Sequence, residues 1–182
     1  VRRVNSQSGK SGAAWILQQN HGLTLPVYLQ KHFSLCVQNH TEQFGQEISI
    51  ADIWSLFRQQ YGLQSEPVLR LQDYGFVAEG GQFHAQIASV DGEENLRGKG
   101  SGIIAAWVHA LSQWLDQDVS VLHYDEHSLG QTTQSQAVAY VACQFDDGAP
   151  VYAVAIEQDA SKAALQAVLN AVVQVWELKS VP

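Results

Sequence analysis

Methionine is absent from the 182 residues, cysteine occurs twice, proline four times, and Lys and Arg together only ten times. Ten cations against 18 Asp and Glu leave a formal net charge of −8, which argues against a nucleic-acid partner or an anionic membrane surface. No basic cluster offsets that balance. Cys36 and Cys143 are too few for a disulfide framework, and each lies in an apolar run, as a buried free thiol in a reducing cytoplasm would. There is no signal-peptide pattern and no apolar run of membrane-spanning length. With no methionine at all, Val1 is expected to lie inside a longer protein, and we read the chain as a fragment. What is present is core-forming: 46% of residues are hydrophobic and 15% charged, the balance of a globular protein.

Two regions have different periods. From Ser11 to Tyr61 the pattern is helical. A short helix is expected over 12–19 with Gly22 beyond its end, and a second begins near Pro26, whose missing N–H is harmless in a first turn. A third is capped by Ser49 with Asp52 three residues on. Its stripe is Ile50, Ile53, Trp54, Phe57 and Tyr61, and Gly62 closes it. Gly62 to Pro67 reads as a linker. Beyond it the period becomes two. Strands are expected over 68–77, 82–90 and 92–98, with a hairpin turn at Asp91-Gly92, followed by a helix over 102–115. The pattern then recurs: strands over 119–126, 135–146 and 149–157, the last two joined through Asp147-Gly148, and a helix over 160–176. The expected fold is therefore α+β. A small helical linker subdomain (1–66) precedes a domain (67–182) of two β-β-β-α units related by an approximate internal two-fold.

The two repeat helices differ in pattern. Leu165, Val168, Leu169, Val172 and Trp176 form one stripe, as for a helix lying on a sheet. The earlier helix has two stripes. Ile104, Val108, Leu111 and Leu115 make one and Ile103, Trp107, Ala110 and Trp114 the other, leaving His109, Ser112, Gln113 and Asp116 polar. Cover on two sides is expected, the second side from another subunit, so a homodimer is predicted with this helix near the contact.

Gly98-Lys99-Gly100-Ser101-Gly102 stands where the third strand meets that helix. Alternate glycines let a backbone approach a small molecule closely, and the free amides of a helix start would point at it. The same glycines could instead serve only a tight strand-to-helix turn. The spacing fits neither a dinucleotide fingerprint nor a phosphate loop. Asn5-Ser6-Gln7-Ser8-Gly9-Lys10 likewise lacks the glycine-rich loop that phosphate binding needs. Alternation along the fourth strand puts His123, Asp125 and His127 on one face, a trio chemically suited to zinc, although a solvated strand face is the commoner meaning of such a pattern. Tyr124 and Glu126 would point the other way, and Tyr124 could line the same cavity as the glycine loop. No nucleophile elbow, paired carboxylates or His-x-His motif is found. The residues point to binding rather than catalysis.

Arg3-Val4-Asn5-Ser6-Gln7-Ser8-Gly9-Lys10-Ser11-Gly12, then His21-Gly22-Leu23 with Leu25-Pro26 and Leu29-Gln30, closely resembles the segment after the catalytic barrel of 2-isopropylmalate synthases, in their longer bacterial form. The second region resembles them too. It has Gly98-x-Gly100-x-Gly102, Ala105-Ala106-Trp107-Val108-His109-Ala110-Leu111, Val121-Leu122-x-Tyr124-x-Glu126-His127 and Gln136-Ala137-x-Ala139-Tyr140 in the family's order. That resemblance implies a linker subdomain plus a C-terminal regulatory domain of a cytoplasmic enzyme that condenses acetyl-CoA with 2-oxoisovalerate in leucine biosynthesis. The catalytic barrel and its divalent metal would precede Val1. This stretch would carry no catalytic residue, metal or cofactor of its own. Leucine would bind at a dimer interface and inhibit the distant active site. The implied leucine pocket comprises Gly100, Ser101, Gly102, Ile104 and Ala105, continues through Val121, Tyr124, Ser128, Ser135 and Ala137, and takes Ile156 from the second unit. Where the family commonly has Asn-Gly-Pro, this chain has Ser101-Gly102-Ile103. Two alternatives stand beside this reading: the regulatory domain of a related citramalate synthase sensing isoleucine, and a degenerate dimerisation or small-molecule-binding module.

Overall fold

The computed structural model describes residues 3–4, 9–130 and 135–180, with side chains over 12–130 and 135–176. The polar string from Asn5 to Ser8 lies outside the described residues. Among those described, the helical region consists of α1 (Gly9–His21), α2 (Val27–Phe44) and α3 (Ile50–Tyr61), with a small ladder of β1 (Arg3–Val4) and β2 (Ile48–Ser49). Local chemistry sets these ends. Ser49 accepts from the Asp52 amide at 3.1 Å while its hydroxyl donates to the Asp52 carboxylate at 2.7 Å, a reciprocal cap. Gly62 closes α3 at φ 75°, the left-handed region that a side chain disfavours.

Two antiparallel three-stranded meanders follow. The first is β3 (Arg70–Val77), β4 (Gln82–Ser89) and β5 (Gly92–Lys99), leading into α4 (Ile103–Leu115). The second is β6 (Val119–Leu129), β7 (Gln136–Phe145) and β8 (Val151–Glu157), leading into α5 (Ala160–Ser180). The expected α+β architecture of a helical unit and two β-β-β-α units is what forms. One turn differs by a residue: Ser89 pairs with Gly92, so the β4–β5 hairpin turns through Val90 and Asp91 and Gly92 is already in the strand.

The internal symmetry extends to an irregularity. β3 is bulged between Leu71 and Asp73, and β6 between Val121 and His123. Tyr74 then shares a row with Ala85 and Leu96, as Tyr124 does with Val141 and Ala153. Continuing without a gap, Gly98 corresponds to Ala155, Gly102 to Asp159, Ala106 to Ala163, and His109 to Gln166.

One core lies between the sheets and α4 and α5. A second joins the three N-terminal helices to the outer face of the β6–β8 sheet through Val138, Tyr140 and Val154. The strands report this asymmetry. β7, covered on both faces, is apolar almost throughout, whereas β4 alternates between buried Phe83, Ala85 and Ile87 and more accessible neighbours. Burial pushes the Cys143 thiol up to about 12, so it serves as an inert core residue.

Within the single chain, α5 is buried well beyond its expected single stripe. Every residue of α5 from 163 to 172 is buried, whereas on α4 only Ala106, Trp107, Ala110 and Leu111 are. The physical reason lies in side chains that look solvent-facing in the sequence. Gln166 accepts from the Leu71 amide at 2.9 Å and donates to the Leu69 carbonyl at 2.9 Å; Asn170 donates to the Val154 carbonyl at 2.9 Å. Gln166 thus acts as a strand partner along the start of β3, and α5 can be sealed on its polar side because those amides are satisfied. Part of the second cover of α4 comes from the same chain, where the Trp107 indole donates to the Leu165 carbonyl of α5 at 3.1 Å. Ile104, Val108 and Leu115 remain half-buried along the other stripe.

Candidate functional site

The glycine loop divides by role. A Cβ on Gly98 would meet the Ala106 carbonyl at 2.3 Å, and one on Gly100 the Ala106 amide at 2.5 Å. These two glycines seat α4 directly on the end of β5. The Gly100 amide is also engaged, donating to the Gly81 carbonyl at 3.0 Å. Gly102 is different. It is the N-cap of α4, with extended backbone, no side-chain cap bond and nothing within 4 Å of a would-be Cβ. Its carbonyl takes the Ala106 amide at 3.0 Å, which leaves the amides of Ile103, Ile104 and Ala105 without an intrahelical partner. Ser101 and Ala105 are exposed beside it, and Ile104 borders the inter-sheet core.

β6 contributes one face to the same side of the molecule. Tyr124 opposes Val141 and Ser128 opposes Ala137, so Val121, Tyr124, Glu126 and Ser128 share one strand face; Val121 and Tyr124 pack against the inter-sheet core, and Glu126 and Ser128 are exposed beyond it. Tyr124 is half-buried, and its hydroxyl donates to the Glu126 carboxylate. Burial, followed by that carboxylate, raises the Tyr124 phenol well above its ordinary value, so it stays a neutral donor. Ser135 is half-buried at the entry to β7. Ile156 is not brought to this face. It pairs with Val138 and packs against the core of the N-terminal helices, on the opposite side of the sheet from Tyr124.

The alternation of His123, Asp125 and His127 holds, but their face meets the helices rather than a metal. The His123 ring stacks on Tyr28 at 4.7 Å. His127 Nε2 accepts from the Thr24 amide at 3.2 Å and lies 2.8 Å from the Tyr140 hydroxyl, while Nδ1 faces the Ser128 carbonyl at 3.1 Å. Those partners assign the proton to Nδ1. This face is a clasp from β6 to the α1–α2 connection and the first turn of α2. Among the described residues, no group of three His, Cys, Asp or Glu is placed to hold a metal ion.

The second unit shows the helix start in another state. Asp159, the counterpart of Gly102, accepts the Lys162 amide on its carboxylate at 2.8 Å and so caps α5. The Tyr74 hydroxyl, counterpart of Tyr124, lies 3.5 Å from the same carboxylate oxygen. In this half a carboxylate sits between a helix N-terminus and a tyrosine; in the other half the helix start carries no carboxylate of its own.

A family assignment is available for this architecture. Residues 47–176 match the family described as the LeuA allosteric (dimerisation) domain. The chain belongs to that family. The match takes in β2 and α3 as well as both repeat units of this LeuA-type domain. Among curated relatives, the 2-isopropylmalate synthase of Marinomonas sp. (strain MWYL1) is 44% identical over 175 residues, covering 94% of this chain and 31% of the relative. Those of Mycobacterium ulcerans (strain Agy99) and Ralstonia pickettii (strain 12J) are 38% and 36% identical, again over 94% of this chain and 31% of theirs. The chain therefore spans under a third of the length of the relatives it matches.

Sequence reasoning passed over Asp159 and Glu126 as functional positions. Aligning the two units on their tyrosines exposes Asp159 as the occupant of a position that Gly102 leaves open. Glu126 stands two residues from Tyr124, the strand period that places both on one face.

Proposed function

We propose that this chain is the leucine-sensing part of a cytoplasmic 2-isopropylmalate synthase, binding leucine at the N-terminus of α4. The observation that carries the reading is the contrast between Gly102 and Asp159. Where α5 is capped by its own carboxylate with Tyr74 alongside, α4 offers three free amides and no side chain. By the internal two-fold Tyr124 faces that start. A leucine carboxylate takes the position that Asp159 fills in the other half, stabilised by the amides and the helix dipole. Glu126 suits the ammonium, and Ile104 and Val121 at the core margin suit the isobutyl group. Within one protomer Ile156 has no part in this arrangement, because it lies across the sheet.

Residues 1–66 serve in this proposal as the helical linker subdomain and 67–182 as the regulatory domain, which associates as a homodimer through the half-buried stripe of Ile104, Val108 and Leu115 on α4. Catalysis and its divalent metal are assigned to a barrel in the rest of the protein. Inhibition then requires leucine to favour one state of the whole enzyme by only about 1–3 kcal/mol. The names of the family and of the relatives support the reading at the level of the domain and the pathway.

Calorimetric titration of the chain with leucine, isoleucine and valine tests it. Saturable leucine binding, stronger than that of the other two, is expected. Preference for isoleucine would move the assignment to a citramalate synthase, and no heat with any of the three would leave a dimerisation module. Light scattering is expected to give a dimer at micromolar concentration; a monomer would overturn the proposed role of α4.

A further inference from the structure

A concavity of about 350 Å3 lies where α3, the 62–67 connection and the β6–β8 sheet meet; Trp54, Arg58, Leu63, Arg70, Gln136 and Ile156 are among its walls. None of the residues at the α4 start, nor Tyr124, lines it. We propose that this cleft binds a small aliphatic carboxylate, its charge held between Arg58 and Arg70 and its hydrocarbon body against Trp54 and Ile156.

The two arginines carry the argument. Arg58 donates from Nε to the Leu63 carbonyl at 3.1 Å and stands 5.9 Å from the centre of the Trp54 ring. Arg70 donates from Nη2 to the Ser65 carbonyl at 3.2 Å. Each guanidinium has five N–H donors, so both retain further donors after fixing the connection. Among the described residues, neither forms an ion pair, although the chain has 18 acids for ten bases. Arginine's planar fork is suited to a carboxylate and is present here twice in one cleft. Three of the other polar walls are already engaged: Gln166 and Asn170 bond the backbone of Leu69, Leu71 and Val154, and Glu157 is paired with Lys162 at 3.8 Å. Glu157 disfavours a multiply charged ligand, and Ile156 and Trp54 provide an apolar surface that a bare inorganic anion would not use. A carboxylate bound there touches the N-terminal helices, their connection and the sheet at once, and so stiffens the joint between them.

The test is a calorimetric titration of the full 182-residue chain at low ionic strength with isovalerate, its uncharged analogue isovaleramide, and inorganic phosphate. Saturable one-to-one isovalerate binding is expected, with isovaleramide at least about tenfold weaker. R58Q and R70Q should each weaken isovalerate about tenfold, the effect of losing one charge-assisted hydrogen bond. Isovalerate should raise the thermal midpoint of the parent and not that of the double variant. Arg70 is exposed at the first residue of β3, so R70Q retains the fold even if the Arg58 variant does not. Absence of saturable isovalerate binding, equal affinity in the parent and R70Q, or tighter binding of phosphate would each overturn the proposal. Saturating leucine should leave the isovalerate isotherm unchanged. Competition between them would overturn a separate site, whereas absent leucine binding with intact isovalerate binding would count only against the leucine reading.

Discussion

The two β-β-β-α units have the same bulge, the same tyrosine after it and the same helix start, but they finish those shared parts differently. The helix of the second unit is closed off: Asp159 caps α5, Gln166 bonds the edge of β3 in the first unit, and alanines at 155, 163, 164 and 167 bring the helix down on its own sheet. The first unit stays open: Gly102 gives α4 no side-chain cap, and His109, where Gln166 would stand, is exposed and accepts the Lys99 amide at 3.0 Å. One copy of the repeat has become framework and the other retains unmet hydrogen-bonding capacity at the surface. In a duplicated fold, the half with the unmet groups is the half in which to look for a ligand.

The largest difference between the units is expected at the helix–strand contacts. Gly98→Ala drives a Cβ into the Ala106 carbonyl and the Ala110 amide, with backbone on both sides and nothing flexible to yield. A loss of about 3 kcal/mol is expected in urea unfolding. Its counterpart, Ala155→Gly, removes a Cβ that the second unit accommodates and should cost only about 1 kcal/mol. The reverse order would show that Gly98 is not what seats α4 on β5. Next in size is Gln166→Leu, which strands the Leu71 amide and Leu69 carbonyl in a buried setting; about 2 kcal/mol is expected. The matching His109→Ala, at an exposed position, should stay within about 0.5 kcal/mol. Asp159→Ala should cost about 1 kcal/mol through the lost cap, read by the same unfolding experiment.

Much of this architecture was legible in the residues because its periods are strong. The six strands of the repeat and its two helices fall close to their expected positions, since two-residue alternation and the Gly and Asp-Gly punctuation leave few other registers. Burial of α5 was not legible. Gln166 and Asn170 look like a polar stripe, and only the arrival of β3, some 95 residues earlier in the chain, turns them inward. The continuous apolar run of β7 did carry the opposite message, a strand covered on both faces, which the N-terminal helices fulfil. At the candidate site, the loop and Tyr124 stood out through glycine spacing and strand alternation. The separation of Ile156 from them is a matter of which sheet face a paired residue takes, and that depends on the Val138 pairing rather than on any local pattern.

The smallest expected change in stability is the most discriminating for function. Gly102→Asp gives α4 the residue that its counterpart helix carries. Its φ of −153° is extended backbone open to any residue, and no atom lies within 4 Å of the new Cβ. An aspartate there should cap the Ala105 amide as Asp159 caps that of Lys162, raising stability by a few tenths of a kcal/mol, the usual difference between Gly and Asp at an N-cap. The added carboxylate would also occupy the place proposed for that of leucine and repel it. Leucine heats should therefore vanish from a protein that unfolds slightly later than its parent. Retained leucine affinity in a correctly folded Gly102→Asp variant would show that the α4 start is not the binding point, and that the openness of the first unit has another cause.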